Sequence, residues 1–121
     1  MNTPFAAILK DVVQASPNAI GGAFAASDGE MVDAFSTINA TDFAIITAHY
    51  GVVMSLLKSA FGTWHFGWPE YFYAQFKTLD VIVHEVDAGY FALVAYSSPP
   101  EIGNALEHVQ IACKRLKKEM A

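Results

Sequence analysis

Apolar residues along this chain recur sometimes every three or four positions and sometimes every one or two, and the switches between these spacings mark out its elements. Phe5, Ile8, Leu9, Val12 and Val13 make one clean helical stripe. Thr3 is placed to cap that helix and Pro4 suits its first turn. Ser16-Pro17-Asn18 ends it. Residues 19–26 read as a buried strand whose small side chains would let a helix come close. Ser27-Asp28-Gly29 signals a tight turn, and residues 30–36 return as the second strand of a hairpin. A long helix is expected at about residues 41–62, capped by Asn39 or Thr41, with Asp42 at its positive end and Gly62 and Gly67 at its exit. Strands follow at 70–77, 79–86 and 90–97, the last two joined by a turn at Asp87-Ala88-Gly89. The strand at 90–97 is apolar on both faces, as a central strand covered on both sides would be. Ser98-Pro99-Pro100-Glu101 reads as a capping box with proline in the first turn of a last helix. Ile102, Ala105, Leu106, Val109, Ala112, Cys113 and Leu116 would form its buried face.

The order is α-β-β-α-β-β-β-α. Hairpins favour antiparallel pairing, so the expected class is α+β: one five-stranded antiparallel sheet with helices on both faces. No linker or repeat divides the 121 residues, so the expectation is one domain spanning 1–121.

The long helix is apolar nearly all round. Phe43, Ile46, Tyr50, Val53, Leu57 and Phe61 make a stripe that should pack on the sheet. A second stripe remains: Ile45, His49, Val52, Leu56 and Ser59. A helix with two apolar faces is covered twice, yet the domain has few other elements to cover this one. The strand at 70–77 sets Tyr71, Tyr73 and Gln75 on the face away from Phe72 and Phe76. At a sheet edge its backbone would be open to another chain. A twofold contact that joins edge strands and packs the long helices would cover both surfaces. The expected dimer interface is therefore Ile45, His49, Val52, Leu56 and Ser59, with Tyr71, Tyr73 and Gln75. The alternative is a single chain with the last helix laid across the second stripe.

Composition agrees with a covered surface. Hydrophobic residues make up 54% and charged residues only 16%, against about 25% charged in an average domain. The net charge of −5 argues against a nucleic-acid partner. Lys114, Arg115, Lys117 and Lys118 cluster where cations favour a helix C-terminus. The single Cys113 fits a reducing compartment, and the N-terminus shows no secretory pattern, so a cytoplasmic location is expected. The run from Phe43 to Leu57 contains Thr47, His49, Tyr50 and Ser55 and reads as too short and interrupted for direct membrane insertion.

Chemistry is sparse. His49, His65, His84 and His108 have no metal-ligand spacing, and Gly21-Gly22 lacks the lysine and hydroxyl residue of a phosphate loop. Cys113 falls on an apolar face, where a structural thiol is expected. No catalytic residue, cofactor or metal is therefore expected. Trp64, Phe66 and Trp68 stand close together beside Pro69; they would either anchor a partner or plug the core.

The run Ala23-Phe24-Ala25-Ala26-Ser27-Asp28-Gly29-Glu30-Met31-Val32 resembles the strand–Asp-Gly–strand unit of the Roadblock-type dynein light-chain family. Tyr90 to Tyr96, followed by Glu101-Ile102-Gly103, resembles that family's closing strand and helix. Gly103 fits the Asn-Leu-Gly often found there, Ile102 is conservative, and Glu101 departs. The basic residue often found soon after that glycine is absent. The likeness covers essentially the whole chain through the order of elements. It implies a Roadblock/profilin-like sandwich and a small dimer with sheets joined edge to edge. It also implies a non-catalytic regulator or scaffold for a small Ras-like GTPase, as in prokaryotic polarity and motility systems, where one kind of member activates the GTPase. The other function it implies is a structural adaptor that pairs with another Roadblock-type chain or a motor complex. A small-molecule sensor is a third, weaker reading.

Overall fold

The computed structural model describes residues 3–61, 69–87 and 89–121, with the side chain of residue 61 outside that description. The elements are α1 (Pro4–Gln14), β1 (Ala19–Ala26), β2 (Met31–Ser36), α2 (Ala40–Phe61), β3 (Tyr71–Gln75), β4 (Asp80–Asp87), β5 (Tyr90–Tyr96) and α3 (Ile102–Met120). All strand pairs are antiparallel, in the order β2-β1-β5-β4-β3. The chain therefore has the expected class, and the two edge strands of its sheet are β2 and β3.

Alternation along the strands feeds two apolar layers. Phe24, Ile82, Ala92, Val94 and Tyr96 pack under α1 and α3, with Leu9, Val13, Val109 and Leu116. Ala23, Ala25, Val81, Val83, Phe91, Leu93 and Ala95 pack under α2, with Phe43, Tyr50 and Met54. The two glycines of β1 serve both layers. A Cβ on Gly21 would lie 2.6 Å from Phe43 Cε1, and one on Gly22 would lie 3.3 Å from Val13 Cγ2.

Local chemistry explains the element ends. Thr3 Oγ1 accepts from the Ala6 amide at 3.0 Å and starts α1. Asn39 Oδ1 accepts from the Thr41 and Asp42 amides at 2.9 and 3.2 Å, so Asn39 rather than Thr41 caps α2. Gly29 and Gly89 both sit at positive φ in the hairpin turns; Ala88 lies outside the described residues.

Three expectations are corrected. Ser98 does not cap the last helix. Glu101 does, with its carboxylate accepting from Gly103 and Asn104 amides at 3.3 and 2.7 Å. Each proline keeps the residue before it out of helical backbone, so the helix starts after both of them. Ile102 consequently stands exposed at the first helical position instead of in the core. On α2 the docked face is Phe43, Thr47, Tyr50, Gly51 and Met54, whereas Val53 is exposed. Gly62 and Gly67, expected at the exit of α2, lie outside the described residues.

Candidate functional site

The phase of α2 is set from inside. Thr47 is fully buried, and its hydroxyl donates to the Phe43 carbonyl at 3.0 Å, so it needs no outside partner. Gly51 meets the β1–β2 turn: a Cβ on it would lie 2.4 Å from Gly29 Cα. Ser55 Oγ donates to the Ser27 carbonyl in the same turn at 2.9 Å. With those residues inward, Ile45, His49, Val52, Leu56 and Ser59 all lie on the exposed face.

Ile45, Val52 and Leu56 are 51%, 58% and 64% exposed. Fully burying one such side chain contributes about 1.5–3 kcal/mol. His49 adds little polarity, because its Nδ1 lies 2.9 Å from the Ile45 carbonyl in its own helix. By length and composition the segment Ala40–Ala60 could cross a membrane. That corrects the shorter run read from the sequence. Here α2 is docked on the sheet by its other face.

Tyr50, buried on the docked face of α2, reaches toward β3. Its ring centroid lies 6.3 Å from that of Phe72 and 6.4 Å from that of Phe76. Phe72 and Ala74 belong to the α2 layer, and Tyr73 packs into the α1/α3 layer. Tyr71 stacks on His84 at 5.6 Å and an interplanar angle of 14°. Tyr73 donates its hydroxyl proton to buried Asp80. That hydrogen bond, helped by desolvation and the charge of Asp80, pushes the Tyr73 hydroxyl up to about 12.

The register of β3 decides which backbone groups are free. The Glu85 amide bonds the Glu70 carbonyl, and the Phe76 amide bonds the Leu79 carbonyl. The pairs Phe72↔Val83 and Ala74↔Val81 lie between them in the same phase, so their amides and carbonyls bond within the sheet. Tyr71, Tyr73 and Gln75 alternate with them, and their amides and carbonyls point outward. None of those amides donates to another described residue. The three residues expected at the interface are thus the three whose backbone faces the open edge.

Other candidates are less developed. Cys113 is buried, and burial pushes its thiol up to about 12, which suits packing rather than attack. A cleft of about 420 Å³ between β4 and α3 is lined by residues including His84, Glu85, Cys113 and Lys117. Among the described residues no three His, Cys, Asp or Glu side chains group as a metal site. Trp64, Phe66 and Trp68 lie outside the described residues.

No family model and no curated protein matches the sequence. Solved structures do resemble the fold. A Roadblock/LC7 domain from Streptomyces avermitilis superposes with a TM-score of 0.83 at 13% identity, covering 93% of this chain and 94% of that one. The gliding protein MglB from Thermus thermophilus gives 0.85 at 10% identity, covering 100% and 95%. Profilin IA from Acanthamoeba castellanii gives 0.59 at 13% identity, covering 94% of each chain. The chain therefore has the Roadblock/LC7 fold, in the wider profilin-like architecture.

Proposed function

We propose that this chain, a Roadblock/LC7 fold, is a non-catalytic regulator or scaffold that works as a dimer and binds a small Ras-like GTPase in the cytoplasm. The observation that carries the dimer is one of placement. The exposed apolar face belongs to α2, whose docked face reaches the edge strand β3 through the packed rings of Tyr50 and Phe72. A second copy related by a twofold axis covers both at once, since an isologous contact needs one self-complementary surface. The sheet then runs on through paired β3 strands, and Ile45, Val52 and Leu56 meet their counterparts across the axis.

The GTPase partner is supported by the fold, which this chain shares with the gliding protein MglB, and by the resemblance of its closing strand and helix to a family that works with such GTPases. The chain would act on the partner's chemistry by holding it in one conformation or at one place, with no cofactor or metal of its own.

Light scattering tests the dimer: a monomer at micromolar concentration would end that reading. The partner is tested with a Ras-like GTPase encoded beside this gene, by binding and by single-turnover GTP hydrolysis with and without this protein. Faster hydrolysis marks an activator, and binding at an unchanged rate marks a scaffold. No binding, together with capture of another Roadblock-type chain, favours the structural adaptor.

A further inference from the structure

The two edge strands of the sheet are built differently. The Thr37 amide bonds the Ile20 carbonyl, and the pairs Gly22↔Phe35 and Phe24↔Asp33 continue in the same phase. The amides of Ala34 and Ser36 on β2 therefore point away from β1, as those of Tyr71, Tyr73 and Gln75 do on β3. On β3 the outward groups are unoccupied by described residues and the pairing is regular. On β2 the pairing shifts between Phe24 and Ala25, leaving Val32 as an extra residue. The outward amide of Ala34 is already taken, by Asp33 Oδ1 at 2.8 Å. The other carboxylate oxygen of Asp33 accepts from the Thr3 hydroxyl. Thr3 is itself fixed, because the same hydroxyl accepts from the Ala6 amide to cap α1.

We propose that Asp33, pinned by Thr3, closes the β2 edge against pairing with a further copy of this chain. A strand added to β2 would have to take the Ala34 amide with a carbonyl oxygen. It would meet a carboxylate already on that amide, and the negative charge would repel the incoming carbonyl. Bulges and charges at strand edges are the usual protection against such pairing. The N-terminal cap of α1 thereby becomes part of the lock, since α1 orients the hydroxyl that orients the carboxylate. The consequence is an assembly that ends at two copies, and it rests on the reading that β3 forms the dimer. With both edges open, each chain would offer two sheet contacts and assembly would not close.

Asp33→Ala removes both acceptors. Its weight-average mass by sedimentation or light scattering is expected to climb with concentration to about twice the dimer mass or more. Asp33→Asn keeps an acceptor for the Ala34 amide but not the charge, so its mass is expected to rise less than that of Asp33→Ala. Adding Gln75→Pro to Asp33→Ala blocks the β3 edge and should leave dimers joined through β2. If Asp33→Ala does not fold by circular dichroism, Asp33→Thr, a good strand former without the carboxylate, replaces it. A folded variant that keeps the dimer mass at every concentration overturns the lock and leaves the β3 dimer standing. A monomeric unmodified protein with a dimeric Asp33→Ala variant does the reverse: the lock stands and the β3 dimer falls. Monomers in both cases overturn both.

Discussion

Gly51 on α2 and Gly29 in the β1–β2 turn touch backbone to backbone: a Cβ on Gly51 would lie 2.4 Å from Gly29 Cα and 2.8 Å from its amide nitrogen. A mid-helix glycine costs about 1 kcal/mol relative to alanine. Here that cost is offset by an approach no side chain permits. Gly51→Ala regains the helix propensity but forces two main chains apart, and such overpacking costs about 1–3 kcal/mol or more. Because backbone cannot rotate out of the way, the upper part of that range applies. A net loss of about 2 kcal/mol in urea unfolding is expected. A stabilised variant would show that the turn gives way freely.

Val52 is 58% exposed in the single chain, so Val52→Glu should leave the monomer's fold and melting behaviour nearly unchanged. In the dimer it would set two carboxylates against an apolar contact with no partner. The dissociation constant should rise by about a hundredfold or more. Sedimentation equilibrium on both proteins gives the number. A variant that dimerises as tightly as the parent would move the contact away from this stripe.

Periodicity found the outer face of α2 but misphased part of its inner one. Val53 suits an inward stripe by type, yet it stands at the exposed margin. Thr47 and Gly51 take the inward places. Neither is an apolar signal: Thr47 hides its hydroxyl on Phe43, and Gly51 is selected by a contact some twenty residues away in sequence. The glycine itself was the available clue, since it is a costly residue in mid-helix. On β3, alternation told which face each side chain takes. It could not tell which amides face outward, because that depends on the register with β4. The β2 closure was invisible for the same reason. An aspartate in a strand says nothing of edges until the pairing is known.

Tyr73 and Asp80 give the fold an alkaline limit. The hydroxyl of Tyr73 ordinarily ionises near 10.0 and is raised to about 12 here, first by its hydrogen bond to Asp80. The unfolded chain therefore releases this proton at lower pH than the folded chain does. Its contribution to stability is complete below pH 10, and it declines as pH rises from there through about 12. Tyr50 and Tyr96 are raised as well, by burial, so some alkaline slope belongs to them. Tyr73→Phe should be less stable at neutral pH and should flatten the slope between pH 10 and 12 by one proton's share. A slope identical to the parent's would mean that the bond to Asp80 does not persist in solution.

Two proline substitutions one residue apart separate the roles of β3. The Ala74 amide points into the sheet opposite Val81, whereas the Gln75 amide points outward. Proline has no amide proton, so Ala74→Pro removes a ladder bond, leaves the Val81 carbonyl without its donor and should destabilise the monomer by about 1–3 kcal/mol. Gln75→Pro removes only an outward donor, and an edge strand accepts proline there. The folded monomer should survive it. The dimer should not. With Tyr71, Tyr73 and Gln75 facing out, the symmetric register sets Tyr73 against Tyr73 of the second copy, flanked by Tyr71 against Gln75 on either side. Proline at Gln75 then breaks both flanking contacts at once, by symmetry, and its ring crowds the approaching strand. Hydrogen exchange gives a second readout. Protection at the Tyr71 and Tyr73 amides should appear with dimerisation in the parent and vanish in Gln75→Pro. Protection at Phe72 and Ala74, whose amides bond β4 within one chain, should stay. Loss of protection at all four positions together would mean that the substitution had unzipped β3 from β4 and said nothing of the edge; in that case Gln75→Asp, which keeps the amide and puts like charges on both flanks of the axis, carries the same test.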